Sequence, residues 1–556
     1  MCFAASAAWV RVTIMTTIHL GRWQLRFDWQ ILCLLLSAVI GLAVAYQRSA
    51  ATLQFSLFVA AVALYVFLLN KSEPILPQRS LLRLTLVLIP AMLGVYFLLT
   101  NDWVRWSEKL PFLTAITSWL ANFPLGPTWL RINPNVVGGV MAVLLPLQVA
   151  ALRPVRRWLQ VVLISFSVAV LILTQTRGAW LALSLAIGMG AMWQIATHFT
   201  STPRAARGIW ISGVVLGGLA LLALLTVTPL GGWLIDSSGQ RPDIWRNSLA
   251  LITDYPLTGH GFASFEMVYS TYALLVHVGH TLHAHNLWFD IWLNLGLLGV
   301  VSLAGLIINA MWPRPATSMW RRPALIALAT LLLHGLYDDA WFGYGGAALP
   351  LLLLPLALAT RAEPGPVPLT TTRSRRFQPA WVVWSVALIA LVISWMTPRG
   401  QAWLETNRGA LAQTQAELSV YHWPEIPIQD ALRHSGQVDL TPAKAHYQAA
   451  LQLDPDNAAA QRRLGQIELA EGQYDSACRH LARAGAVAPH QRATRQLLGE
   501  CYAMQGEVAH ALELWQSVSN QERQLETRVW WYDSYLGDSQ RAGALSQVLQ
   551  ALDNHD

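Results

Sequence analysis

Four short stretches of this sequence gather ionisable side chains between long apolar runs. Thr174-Gln175-Thr176-Arg177-Gly178-Ala179-Trp180 sets one arginine between two such runs. The Gly-Ala that follows suits an anion held at a helix N-terminus; an interfacial arginine reaching back to water is the plainer alternative. Arg241-Pro242-Asp243-Ile244-Trp245 leads into Asp254-Tyr255-Pro256-Leu257-Thr258-Gly259-His260-Gly261-Phe262. Arg241 stands just before an expected helix carrying Trp245, and the Pro and Gly residues downstream force a tight loop; a folded loop without chemistry would read the same way. His283-Ala284-His285-Asn286 opens the next apolar run, and an imidazole there can accept a proton near neutral pH. His260, His277 and His280 lie nearby, so a metal site and a structural histidine cap compete with that reading. Two histidines at i, i+2 do not share a helix face, and no carboxylate has clear ligand spacing, so neither a metal nor a cofactor is expected. Finally, His334-Gly335-Leu336-Tyr337-Asp338-Asp339 ends another run. Asp338 and Asp339 could orient an arginine or a hydroxyl, or form a solvated turn.

The elements that must position these residues are membrane helices. Hydrophobic residues make up 54% of the 556 and charged residues 12%, about half the usual charge of a soluble domain. Eleven runs approach the roughly 20 apolar residues a bilayer requires: near 30–46, 51–70, 82–100, 136–152, 157–174, 179–199, 208–228, 286–311, 323–337, 344–360 and 379–396. Residues 1–396 carry 25 Lys+Arg against 12 Asp+Glu, and residues 397–556 carry 13 against 19, so +13 and −6 give the net +7. The excess lies in short connections, which is a topology signal and argues against a nucleic-acid partner. With the N-terminus inside as an uncleaved anchor, Lys71 and Arg79, Arg153, Arg156 and Arg157, Arg204 and Arg207, Arg314, Arg321 and Arg322, and Arg361, Arg373, Arg375 and Arg376 all face inward. Residues 101–135 and 229–285 become outer loops, and everything after 396 is outside. All four stretches then lie on the outer side, where ionisable residues at membrane depth are functional candidates.

The tail repeats itself. Pro455 recurs as Pro489, Leu464-Gly465 as Leu498-Gly499, Gly472 as Gly506, Ala477 as Ala511 and Leu481 as Trp515. Small residues at fixed positions let paired helices approach closely, and the proline ends the second helix. The pattern resembles the tetratricopeptide repeat, whose arrays bind protein partners on a concave face; an ordinary helical bundle is the alternative. Cys478 and Cys501 lie in this region and read as buried, unpaired thiols, a disulfide being open to them if the tail is exported.

Taken in order, Asn133-Pro134-Asn135, Thr176-Arg177-Gly178-Ala179-Trp180, Arg241 with Trp245, Pro256-Leu257-Thr258-Gly259-His260-Gly261, His285-Asn286, Gly296-Leu297-Leu298-Gly299 and Asp338-Asp339 resemble the O-antigen ligase and polymerase superfamily of membrane glycosyltransferases. The resemblance spans roughly 130–360. It implies an all-α, polytopic bundle of about 11 transmembrane helices, similar to the GT-C class, followed by the helical tail. The organisation expected is N-terminal helices over 1–130, the ligase-like core over 131–360, a loop and last helix over 361–400, a linker over 401–440 and repeats over 441–556.

The resemblance also implies a glycan donor on undecaprenyl diphosphate and transfer with inversion, without a metal, to a glycan, lipid A core or protein acceptor. Arg177 and Arg241 would bind the diphosphate and His285 would act as base or position the acceptor; Trp245, His260, His283, Asn286, Asp338 and Asp339 are further substrate-contact candidates. Whether His283 or His285 faces the site stays open. The location implied is the bacterial inner membrane, with membrane lipid around the bundle and a possible protein partner on a periplasmic tail. The physics agrees: a diphosphate leaving group needs fixed cations more than an acid, and arginine stays charged and grips phosphate oxygens bidentately. A transporter of lipid-linked glycans is the rival reading, although residues 1–396 show no convincing repeated halves. A non-catalytic scaffold presenting the tail is the other.

Overall fold

The computed structural model describes residues 15–20, 23–70, 76–103, 111–122, 131–200, 202–228, 239–277, 281–311, 318–360, 385–387, 389–390, 392–393, 396–422, 426, 428–518 and 521–553. Helices dominate. The exception among the described residues is an antiparallel hairpin, Met15–Leu20 with Trp23–Asp28, just before the first helix.

Eight of the expected apolar runs are continuous helices, and a ninth, Leu287–Met311, is helical on both sides of a break. The 344–360 run is broken into pieces, with Leu349–Leu352 and Leu354–Thr360 helical, and the 379–396 run lies largely outside the described residues. Among the described residues, five helices are long and apolar enough to cross a bilayer: Arg48–Leu69, Ser80–Thr100, Pro134–Leu152, Arg177–Phe199 and Leu287–Met311. Others fall short: Arg321–His334 has 14 residues and rises only about 21 Å. Leu81, Met92, Trp158, Val161, Leu185 and Leu216 stay exposed on these helices, a density of bare apolar side chains that water would not tolerate and lipid does. This is a multi-pass membrane protein.

Pro134–Leu152 and Leu287–Met311 are the central helices, buried over most of their length. The first begins where it does because Asn133 caps it, its Oδ1 accepting from the Asn135 amide at 2.9 Å, with Pro134 at the first helical position. Trp29–Val44 packs along Leu287–Met311, and Arg321–His334 lies against both Arg177–Phe199 and Pro134–Leu152.

Leu287–Met311 is interrupted at Gly296, where φ is +68°. Into this break fits the Pro256–Gly261 loop. The Leu297 amide donates to the Leu257 carbonyl at 3.0 Å, the His260 amide to the Leu293 carbonyl at 2.8 Å, and Trp292 Nε1 to the Pro256 carbonyl at 2.8 Å. A Cβ on Gly296 would fall 2.2 Å from the Leu257 oxygen, and one on Gly259 2.3 Å from the Leu293 oxygen. The loop thus satisfies backbone groups that the broken helix frees, as any polar backbone at membrane depth requires.

The tail is a stack of helical pairs, and it starts earlier than the repeat pattern suggests. Pro398–Leu418 pairs with Thr441–Leu453, and the short helix Gln429–His434 touches Pro398–Leu418 and Ala458–Ala470, so the stretch read as a linker with helical stretches holds two helices. Ala458–Ala470 with Tyr474–Val487 and Arg492–Met504 with Val508–Trp515 are the two units whose repetition is visible in sequence. Their equivalence is physical: Gly465 packs on Leu481 as Gly499 packs on Trp515, each glycine admitting the bulky partner 16 positions on. Cys478 and Cys501 are joined by a disulfide, contrary to the expectation of unpaired thiols. They sit on adjoining helices of successive units, 5.6 Å apart between Cα atoms, a proximity that their spacing along the chain does not reveal.

Candidate active site

Two of the expected residues, Arg241 and His285, meet at a third, Asp338. Asp338 Oδ2 accepts from Arg241 at 2.6 Å, and its Oδ1 lies 2.8 Å from His285 Nδ1. Arg241 opens the Arg241–Asp254 helix with Pro242 behind it, while Asp338 follows the end of Arg321–His334. Burial would raise the Asp338 carboxyl, but the hydrogen bond and charge of His285 and the charge of Arg241 outweigh it and hold the group well below the usual carboxylate range. Asp338 is therefore an anion that fixes both the Arg241 guanidinium and the His285 ring.

His285 has φ +52°, a backbone region uncommon for a residue with a side chain. Three contacts hold it there: its carbonyl accepts from Trp245 Nε1 at 3.2 Å, its amide donates to His283 Nδ1 at 3.2 Å, and its ring is tied to Asp338. Gln175, two residues before the Arg177–Phe199 helix, has φ +51°, just as His285 precedes Leu287–Met311 by two. Strain of this kind clusters at functional sites.

Of the two histidines, His285 is the more open, its side chain 23% exposed against 10% for His283. The rings lie 4.1 Å apart between centroids. Burial pushes the His283 imidazole below its ordinary value, so it is neutral and packs behind His285. Asp290, buried beneath them, accepts the Ala284 amide on Oδ1 at 2.9 Å. Asp339 is also buried and accepts the Trp341 amide; burial and the neighbouring Asp290 carboxyl raise it well above the usual range. Asn286 is a clamp: Oδ1 caps the next helix by accepting from Trp288 and Phe289, and Nδ2 donates to the Leu336 carbonyl at 3.1 Å.

Arg177 is the first residue of the Arg177–Phe199 helix. Thr176 Oγ1 donates to the Pro134 carbonyl at 3.1 Å, tying the Asn133-Pro134-Asn135 stretch to the arginine. Gly178 abuts Tyr337, to whose Cδ1 a Cβ would come within 2.8 Å. Tyr337 also meets Arg241, whose guanidinium carbon lies 4.7 Å from the ring centroid. Tyr337 therefore touches both the segment bearing Arg177 and Arg241 itself. Sequence reasoning did not single it out, nor Asp290; its position directly before Asp338 was the available signal. Three helix N-termini, at Arg177, Arg241 and Leu287, adjoin this centre, and their partial positive charge suits an anionic ligand.

His260 is placed apart from this cluster. It is fully buried between Tyr255 and Phe265, its Nδ1 on the Gly261 carbonyl at 3.0 Å, and burial lowers its pKa to about 4. It is a neutral packing group under the loop, not a surface that a substrate reaches. His277 is described without joining the cluster, and His280 lies outside the described residues. One ligand atom from each of His283, His285 and Asp338 lies within 4.8 Å of the others, the arrangement among the described residues with which a metal ion could be held.

These features define a polytopic membrane protein with a polar site at one end of its bundle and a helical-repeat tail. Residues 161–304 match the family model described as O-antigen ligase, and residues 468–530 match that of the tetratricopeptide repeat. The chain is thus similar to O-antigen ligases over 161–304 and to the tetratricopeptide repeat over 468–530, which supports a ligase- or polymerase-like role in membrane glycan transfer. No curated protein and no solved structure matches it.

Proposed function

We propose that this protein transfers a glycan from undecaprenyl diphosphate to an acceptor hydroxyl or amide on the outer face of the inner membrane, with inversion and without a metal. The observation that carries the reading is Asp338 bridging His285 and Arg241. With Nδ1–H donated to Asp338, His285 keeps Nε2 as an acceptor, and Asp338 stabilises the imidazolium formed later. The acceptor atom attacks the anomeric carbon, its proton passes to His285 Nε2, and the bond from that carbon to the diphosphate oxygen breaks. Arg177 and Arg241 hold the departing charge; Asp338 takes one of the five donors of the Arg241 guanidinium.

A cation at His283, His285 and Asp338 would compete with Arg241, which already lies 2.6 Å from the same carboxylate. That like-charge conflict supports the metal-free form. The disulfide suits an oxidising compartment and so favours a periplasmic tail. Purified protein with undecaprenyl-diphosphate glycan and candidate acceptors tests the proposal. Transfer by wild type that collapses in folded Arg241→Ala and His285→Ala variants is expected; unchanged transfer in both would remove the assigned site, and lipid flipping without transfer would replace the reading with a transporter.

A further inference from the structure

The tail does more than stand beside the core. Arg462 and Arg463, on the first helix of the first visible repeat, reach the buried Asp254 together. Arg462 donates to Asp254 Oδ1 at 2.5 Å, and Arg463 Nε donates to Oδ2 at 2.9 Å. All three side chains are at most 2% exposed. The same arginines secure the loop that follows: Arg462 donates to the Tyr272 carbonyl at 2.9 Å, Arg463 donates to Tyr255 Oη at 2.9 Å, and its guanidinium lies 3.5 Å over the Tyr272 ring. From Pro398–Leu418, Asn407 Oδ1 accepts from the Leu257 amide at 3.0 Å and from the Thr258 amide at 3.2 Å. Tyr272 Oη donates to Glu417, itself gripped by Arg433. The repeat helices Ala458–Ala470 and Arg492–Met504 are thus occupied in part by the chain's own Ser270–Leu274 segment.

Asp254 is the last residue of the Arg241–Asp254 helix, and Arg241 is its first. Fourteen residues make a rod about 20 Å long. One end carries the guanidinium at Asp338 and, one turn on, the Trp245 that holds the His285 carbonyl. The other end is pinned by two arginines of the tail. Cations at a helix C-terminus also suit its dipole, and a buried carboxylate with two guanidiniums cannot shift without leaving charge unpaired.

We propose that Arg462 and Arg463 are positioning residues: through Asp254 and the helix it ends, the tail sets the placement of Arg241 and Trp245 in the site. This rests on the transferase reading for its kinetic arm but not for its structural one. The test uses the full-length protein in detergent with Arg463→Gln, Arg463→Lys, Arg241→Ala and the Arg463→Gln/Arg241→Ala double variant. Hydrogen exchange of amides 241–254 and the kcat of glycan transfer are both measured. Arg463→Gln should speed exchange across 241–254 and lower kcat by about tenfold or more, with Arg463→Lys recovering part of both. Adding Arg241→Ala to Arg463→Gln should cost less than Arg241→Ala alone, because the two act on one placement. Wild-type exchange over 241–254 in Arg463→Gln, or kcat losses that simply multiply, would overturn the proposal. Should wild type transfer no glycan, the transferase reading falls, and exchange over 241–254 alone decides whether the tail holds the helix.

Discussion

Arg241 and Asp338, 97 residues apart in sequence, meet at 2.6 Å where the start of one helix faces the turn after another. The contact joins the large loop to the membrane bundle at the point where His285 also binds. Its charge matters as much as its geometry, and that can be separated by experiment.

Asp338→Asn keeps the shape and removes the charge. An amide can donate to His285 Nδ1 and so favour the tautomer with its proton on Nε2, where the acceptor must bind. Transfer should fall by about a hundredfold or more, measured as kcat under saturating donor. Activity within twofold of wild type, about 0.4 kcal/mol, would remove Asp338 from the mechanism.

Chelation should leave transfer unchanged. Protein dialysed against EDTA is expected to keep its rate, and added zinc should inhibit by taking His283, His285 and Asp338 from their partners. A loss on chelation that zinc or magnesium restores would show that these three residues hold a working metal.

His260 gives the native fold a pH dependence of defined sign. Its folded pKa, about 4, lies below the ordinary 6.5. Between those values the unfolded chain binds a proton that the native one refuses, so stability rises with pH across that window. The contribution is complete above about pH 6.5 and falls by roughly 3 kcal/mol as pH drops to 4. Thermal unfolding should show this decline in wild type and a shallower one in His260→Phe; equal slopes would mean that His260 is hydrated.

Gly296→Ala should destabilise the core by more than about 2 kcal/mol, combining a strained backbone with a clash against the Leu257 carbonyl. Reduced melting temperature in detergent would register it. A wild-type melting curve would show that the break in the helix tolerates a side chain and that the loop does not depend on it.

Much of this molecule was legible before its structure. Apolar runs of bilayer length can satisfy their backbone only as helices, so nine of them could be located from composition alone. The 34-residue repetition identified the tail for a similar reason: glycines recur where Leu481 and Trp515 must pack. The His285, Arg241 and Asp338 segments stood out because charge near a membrane is costly enough to need a purpose.

What the sequence by itself determined is the set of local solutions: helix, loop, repeat, and the residue types that chemistry would use. Only the tertiary structure decided which of them share a carboxylate, that His260 is buried in packing while His285 is presented, that Cys478 meets Cys501, and that the tail grips the loop through Asp254. Hydropathy and periodicity report how each segment meets its solvent. Contacts between residues 23 to 209 positions apart depend instead on how helices cross, and no local pattern records that.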